Sequence, residues 1–150
     1  ALMAFWMKDE FPDVDIDKVI RMCLIHDLGE CFIGDIPTFA KTDADEAREE
    51  AELMAWVRSL PEPVSGEMEA LYREMIALET PEAKLYKAMD KLEAIVQHNE
   101  SDIATWEPHE YQLNMTYADD AVAWSPVLRE LREAIRKDTK AKIAAAEQQA

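Results

Sequence analysis

Apolar residues along this chain recur at three- and four-residue intervals in one segment after another, and they nowhere alternate with polar ones long enough to describe a half-buried strand. The opening Ala1-Leu2-Met3-Ala4-Phe5-Trp6-Met7 is apolar with no capping residue before it, so a first helix is expected to be under way at Ala1. After Pro12-Asp13-Val14-Asp15, Asp17 is the expected cap of one helix carrying Val19, Ile20, Cys23, Leu24 and Ile33 as far as Gly34. A loop from Asp35 to Thr42, containing Pro37, precedes an acidic helix from Asp43 to Leu60 with the apolar stripe Ala47, Ala51, Met54, Val57 and Leu60. Pro61 and Pro63 break it, and Ser65 is the expected cap of a helix with Met68, Leu71, Met75 and Leu78 on one side.

Thr80-Pro81 places an N-cap before a proline at the first helical position, and the spacing predicts a helix through Leu85, Met89, Leu92 and Val96. Trp106 to Asp120 reads as a loop with a short helix. Ser125-Pro126 repeats the start signal ahead of a terminal helix from Val127 to about Ala146. The expectation is a single all-α domain over residues 1–150.

Composition sharpens this picture. With 49% hydrophobic residues, 32% charged residues and three glycines, the chain is too apolar for disorder and too poor in glycine for a turn-rich β protein. No apolar run reaches the length of a membrane span, and the opening segment lacks the basic flank and cleavage site of a signal peptide, so a cytoplasmic protein is expected. The formal charge of −16 argues against a nucleic acid polymer as partner but leaves room for a small anionic ligand neutralised locally by a cation. On one helix Cys23 and Cys31 would lie about 12 Å apart, beyond the roughly 7 Å a disulfide tolerates, and so are expected as reduced core residues.

The candidate chemistry gathers at His26-Asp27-Leu28-Gly29-Glu30. On a helix, His26 and Glu30 would stack on one face with Asp27 turned about 100° away. Imidazole with carboxylate suits a borderline divalent metal. The neighbours Met22, Cys23, Leu24, Ile25 and Leu28 place this polar cluster beside a core, where ionisable groups are costly unless paired or metal-bound. Gly34 is expected to end the helix in a left-handed conformation and aim Asp35 back over the site. Asp90, between Lys87 and Lys91, reads locally as a surface acid making helix salt bridges. His98 and His109 read as surface or loop histidines.

The run from His26 to Pro37, followed by Lys87-Ala88-Met89-Asp90-Lys91-Leu92-Glu93, resembles the HD-domain branch that contains the bacterial 5′-deoxynucleotidases and their eukaryotic relatives. That resemblance implies a bundle of about six to seven helices, a homodimer, one divalent ion (Mn, Co, Mg, Zn or Fe), and a small nucleotide substrate. It places His26, Asp27 and Asp90 on the second, third and fourth metal-ligand positions. Glu30 would position or deprotonate the attacking water, and Asp35 would assist at that water or contact the sugar. No histidine precedes His26, so the family's first ligand, with the arginine and tryptophan that bind substrate upstream of it, is expected to lie before Ala1. The implied reaction is hydrolysis of nucleoside 5′-monophosphates, preferentially deoxyribonucleotides. Hydrolysis of cyclic nucleotides or alarmones, and a degenerate module that binds without catalysis, stay open at this point.

Overall fold

A computed structural model describes residues 1–36 and 41–148. Among the described residues it has nine α-helices and three 3-10 turns and no strand, in agreement with the all-α reading. The helices are α1 (Leu2–Trp6), α2 (Ile16–Ile25), α3 (Glu30–Ile33), α4 (Asp43–Ser59), α5 (Val64–Ala77), α6 (Pro81–Glu100), α7 (Glu110–Thr116), α8 (Asp119–Val122) and α9 (Pro126–Glu147). Six of these have seven or more residues. Pro37, at the end of the Gly-Asp-Ile-Pro sequence, lies outside the described residues.

The centre of the bundle is α6, which packs against α1, α2, α5, α8 and α9. Its Leu85, Ala88, Met89, Leu92 and Ile95 are buried and meet Val19 and Met22 of α2, Val57 of α4 and Leu128 of α9 in one core. Burying a side chain of that size stabilises the fold by about 1.5–3 kcal/mol. The α6 stripe thus follows its sequence periodicity. Its start does too, since Thr80 Oγ1 accepts from Ala83 N at 3.2 Å. The same arrangement recurs at Ser125, which accepts from Leu128 N at 3.4 Å.

Elsewhere tertiary contacts move the local boundaries. Asp15, not Asp17, caps α2, accepting from Lys18 N at 3.0 Å while its own N–H donates to Glu82 Oε1 of α6 at 3.0 Å. That cross-link fixes the entry of α2 two residues early. Leu24 on α2 is largely exposed, and of the two free cysteines Cys23 is half-buried while Cys31 is exposed, so Cys31 is not a core residue. Thr42 caps α4 through a reciprocal pair with Asp45. Ala47 and Ala51 face solvent, and the inward row of α4 is Asp45, Glu49 and Leu53 with Met54 and Val57. Two of the expected stripe positions, Ala47 and Ala51, are therefore replaced by a row four apart that starts with two acids. On α5 Ser65 is not the cap: the helix begins at Val64 after Pro63, and Ser65 N already donates to Pro61 O at 3.2 Å. Leu78 leaves the apolar stripe because it ends α5 in the left-handed region, at φ 51°, and turns outward.

The segment from Trp106 to Asp120, read as a loop with a short helix, contains α7 and the start of α8. Trp106 is buried, and its indole N–H donates to His98 O at 3.1 Å. Arg132 of α9, almost wholly buried, holds α7 and α8 in place by donating to Tyr117 O at 2.9 Å and Asn114 O at 3.0 Å beside the Asp119 carboxylate. His98 Nδ1 lies 2.9 Å from Asn114 Nδ2, and His109 is exposed.

Candidate metal centre

The continuous helix expected from Asp17 to Gly34 is interrupted where the polar motif begins. After α2, residues His26–Gly29 form a 3-10 turn, and α3 resumes at Glu30. The local cause is Ile25, whose φ of −110° and ψ of −7° depart from the α-helix. The long-range causes are two. Tyr72 of α5 donates its hydroxyl to Ile25 O at 2.6 Å, taking a carbonyl that a continuing helix would use. Gly29 packs against Glu49 of α4 so closely that a Cβ there would stand 2.7 Å from Glu49 Cγ. Only glycine admits that approach.

The turn rotates His26 toward α6. Its Nε2 lies 3.1 Å from Asp27 Oδ2 and 3.2 Å from Asp90 Oδ1. Its Nδ1 lies 2.9 Å from the carbonyl of Cys23. Because a carbonyl only accepts, Nδ1 carries the proton and Nε2 is the nitrogen presented to the carboxylates. The Tyr86 ring meets the imidazole edge-on, with centroids 6.1 Å apart. Asp90 is half-buried, and its second oxygen accepts from Lys87 Nζ at 2.7 Å. The helix salt bridge expected for Asp90 is present, and His26 is on its other side.

Electrostatics follow this geometry. Burial opposes ionisation of Asp90, but hydrogen bonds from His26 and Lys87 outweigh it and hold the carboxyl down at about 2. The same hydrogen bond to Asp90 is the main reason the His26 imidazole titrates above its usual range, against the pull of burial and with help from Asp27. Asp27, more exposed, is pushed up by desolvation and by the negative charge of Asp90, with His26 opposing. Glu30 is pushed up by desolvation and by three neighbouring acids, Asp27, Asp35 and Glu49, with Lys41 opposing. Lys41 Nζ in turn lies 2.5 Å from Glu49 Oε2.

Two hollows flank His26. One, of about 410 Å³, is lined by Asp27, Met89, Asp90 and Glu93 together with Leu2 and Trp6 of α1. The other, of about 220 Å³, is lined by Lys41, Glu46, Glu49, Tyr72 and Tyr86. His26 belongs to both. Glu30 and Asp35 share the electrostatic neighbourhood of Asp27 but line neither hollow. Asp35 is exposed. Gly34 does end α3 at positive φ, 87°, but with ψ 161° it sends the chain on extended instead of in the left-handed helical form.

The donor set fits a borderline divalent cation in kind: one imidazole nitrogen with two carboxylate oxygens, the other ring nitrogen anchored on a carbonyl as metal-binding imidazoles usually are. In spacing, only the two contacts of His26 Nε2 with the carboxylates, at 3.1 and 3.2 Å, bring the donors together. It is a partial set. Among the described residues no group of three or more His, Cys, Asp or Glu side chains meets the spacing of a finished metal site.

Sequence reasoning named the three side chains that meet here but not the residues around them. Lys87, Tyr72, Tyr86, Glu49 and Lys41 all shape the site. Lys87, three residues before Asp90 on a helix, was the only one with a local signal.

Comparison with known proteins agrees with this arrangement. A family model described as HD domain matches residues 1–132. The 5′-deoxynucleotidase HDDC2 of Bos taurus is 34% identical over 102 residues, covering 67% of this chain and 49% of that protein. The protein of the same name in Homo sapiens is 32% identical over 114 residues, 75% of this chain and 55% of its own length. The 5′-deoxynucleotidase hdd1 of Schizosaccharomyces pombe is 29% identical over 92 residues, 57% and 46% respectively. The chain spans about half the length of these curated relatives. No solved structure matched it. A family match over residues 1–132, on a bundle that brings His26-Asp27 against Asp90, establishes that the chain belongs to the HD-domain family.

Proposed function

We propose that this chain carries the catalytic core of a metal-dependent phosphohydrolase that releases phosphate from nucleoside 5′-monophosphates, deoxyribonucleotides foremost. The observation that carries the reading is the meeting of His26 Nε2 with carboxylates from two different elements, at 3.1 and 3.2 Å. The names of the relatives, 5′-deoxynucleotidases, supply the substrate class.

In this reading His26, Asp27 and Asp90 hold one divalent ion, Mn, Co, Mg, Zn or Fe, with further donors completing the set. Such an ion supplies Lewis-acid chemistry toward water and a phosphoryl oxygen. Cys23 O keeps the His26 tautomer that presents Nε2, and Lys87 orients Asp90. Glu30 accepts the proton of the attacking water as the new P–O bond forms and the bond to the sugar oxygen breaks. Its carboxyl, raised by burial and surrounding acids, is better matched to that task than an ordinary glutamate. Asp35 assists at the water or contacts the sugar. Among the described residues no helix is long and apolar enough to cross a membrane, and a cytoplasmic homodimer is part of the proposal.

The test is a phosphate-release panel over nucleoside mono-, di-, tri- and cyclic phosphates with Mg, Mn, Co and Zn. Release from 5′-monophosphates is expected. Activity confined to cyclic or triphosphate substrates would refute the reading.

A further inference from the structure

A third hollow, of about 570 Å³, lies on α6, and His26 is not in its lining; of its residues only Lys87 also serves the proposed reaction. Lys84, Lys87 and Lys91 line it together with Leu78, Asp120 and Trp124. At about 100° per residue the three lysines fall within about 60° of one another on α6, on the opposite flank of Asp90 from Met89 and Glu93. The two hollows therefore occupy two sides of one helix, with Asp90 between them.

The lining is unusual for this molecule. The chain has 16 basic and 32 acidic residues, yet three cations face this hollow against one anion, Asp120. Asp120 pairs with Lys91 at 2.9 Å and Lys87 with Asp90 at 2.7 Å. Lys84 is exposed and, among the described residues, forms no ion pair. The opposite wall is aromatic. Trp124 is held from behind by Phe11, ring centroids 6.0 Å apart, and is 38% exposed. Leu78, turned outward by its left-handed backbone, adds apolar surface. A hollow of this size with an apolar wall and a few converging charges has the make-up of a small-molecule site.

We propose that this hollow binds a small molecule with a flat aromatic ring and a phosphate, the ring against Trp124 and the phosphate among Lys84, Lys87 and Lys91. The ring finds an apolar face that shields it from water. The phosphate finds ammonium groups able to donate charge-assisted hydrogen bonds. Lys87 is shared with Asp90, so occupancy of this hollow would be felt at the candidate metal centre.

The test is calorimetric titration of the metal-free protein with adenosine 5′-monophosphate, and separately with adenosine and with inorganic phosphate. The nucleotide is expected to bind more tightly than either fragment. Lys84→Gln with Lys91→Gln should weaken it about tenfold or more, as the loss of charge-assisted hydrogen bonds requires. Trp124→Leu should weaken the nucleotide but not inorganic phosphate. Absence of nucleotide binding, equal affinity for phosphate alone, or survival of binding in the lysine and Trp124 variants would each overturn the proposal. Should Trp124→Leu fail to fold, Lys84→Glu, on an exposed position, decides by itself: unchanged nucleotide affinity there also overturns it. No turnover is read, so this outcome and that of the phosphate-release panel are independent.

Discussion

His26 Nε2 and Asp90 Oδ1 meet at 3.2 Å across the α2–α6 contact, and every other feature of the candidate centre is arranged around that pair. Asp90→Asn keeps the shape but removes the charge that both His26 and Lys87 use. The expected result is loss of divalent-metal binding. In the metal-free protein the expected loss of stability is about 1.5–3 kcal/mol, the range for hydrogen bonds to charged groups. Chemical denaturation with and without metal checks both, and full metal affinity in the variant would remove Asp90 from the ligand set.

The His26 imidazole gives the centre a defined pH response. Its pKa in the folded protein is raised above 6.5, so the stability contributed by its charged contact with Asp90 is present below 6.5 and lost as pH rises through the folded value. A metal needs the neutral ring. Metal affinity is therefore expected to strengthen as pH rises above 6.5, with release of a proton, and stability of the metal-free protein to fall over the same window. Titration in buffers of different ionisation enthalpy measures the proton. Binding with no proton release between pH 6 and 8 would argue against His26 as ligand.

Glu30→Gln separates chemistry from binding. Removing a general base typically slows a reaction by about 10²–10⁴-fold. The expected outcome is a loss of that order in phosphate release with metal affinity unchanged. Undiminished release at saturating metal would assign the base elsewhere.

Gly29→Ala tests the packing that interrupts the helix. The new Cβ would stand 2.7 Å from both Cγ and Oε1 of Glu49, whose carboxylate is tied to Lys41. Overpacking of this kind costs about 1–3 kcal/mol, more than alanine gains in helix propensity. A lowered melting temperature is expected, with recovery on adding Glu49→Ala. If the single variant melts like the parent protein, the close approach of α4 does not shape the turn.

Much of the fold was legible in the sequence because helices with one buried face advertise themselves by period. The α6 stripe of Leu85, Met89 and Leu92 and the starts at Thr80 and Ser125 depend on neighbours within one or two turns. Local pattern failed where a distant residue intervened. Glu82 draws the start of α2 back to Asp15, and Arg132 orders the stretch around α7 and α8. The inward row of α4 follows the acids Asp45 and Glu49, which no apolar periodicity could reveal.

The candidate site divides in the same way. The sequence by itself determined which side chains could act: a His-Asp pair, a glutamate four residues on, and an aspartate within a distant amphipathic helix. Tertiary structure alone decided how they meet. Tyr72 claims the carbonyl of Ile25, Glu49 crowds Gly29, and the resulting 3-10 turn swings Nε2 onto Asp90. The physical reason is that residue identity and helical period are local properties. The direction of a side chain at a helix break is set by contacts with other helices, and those exist only once the bundle has closed.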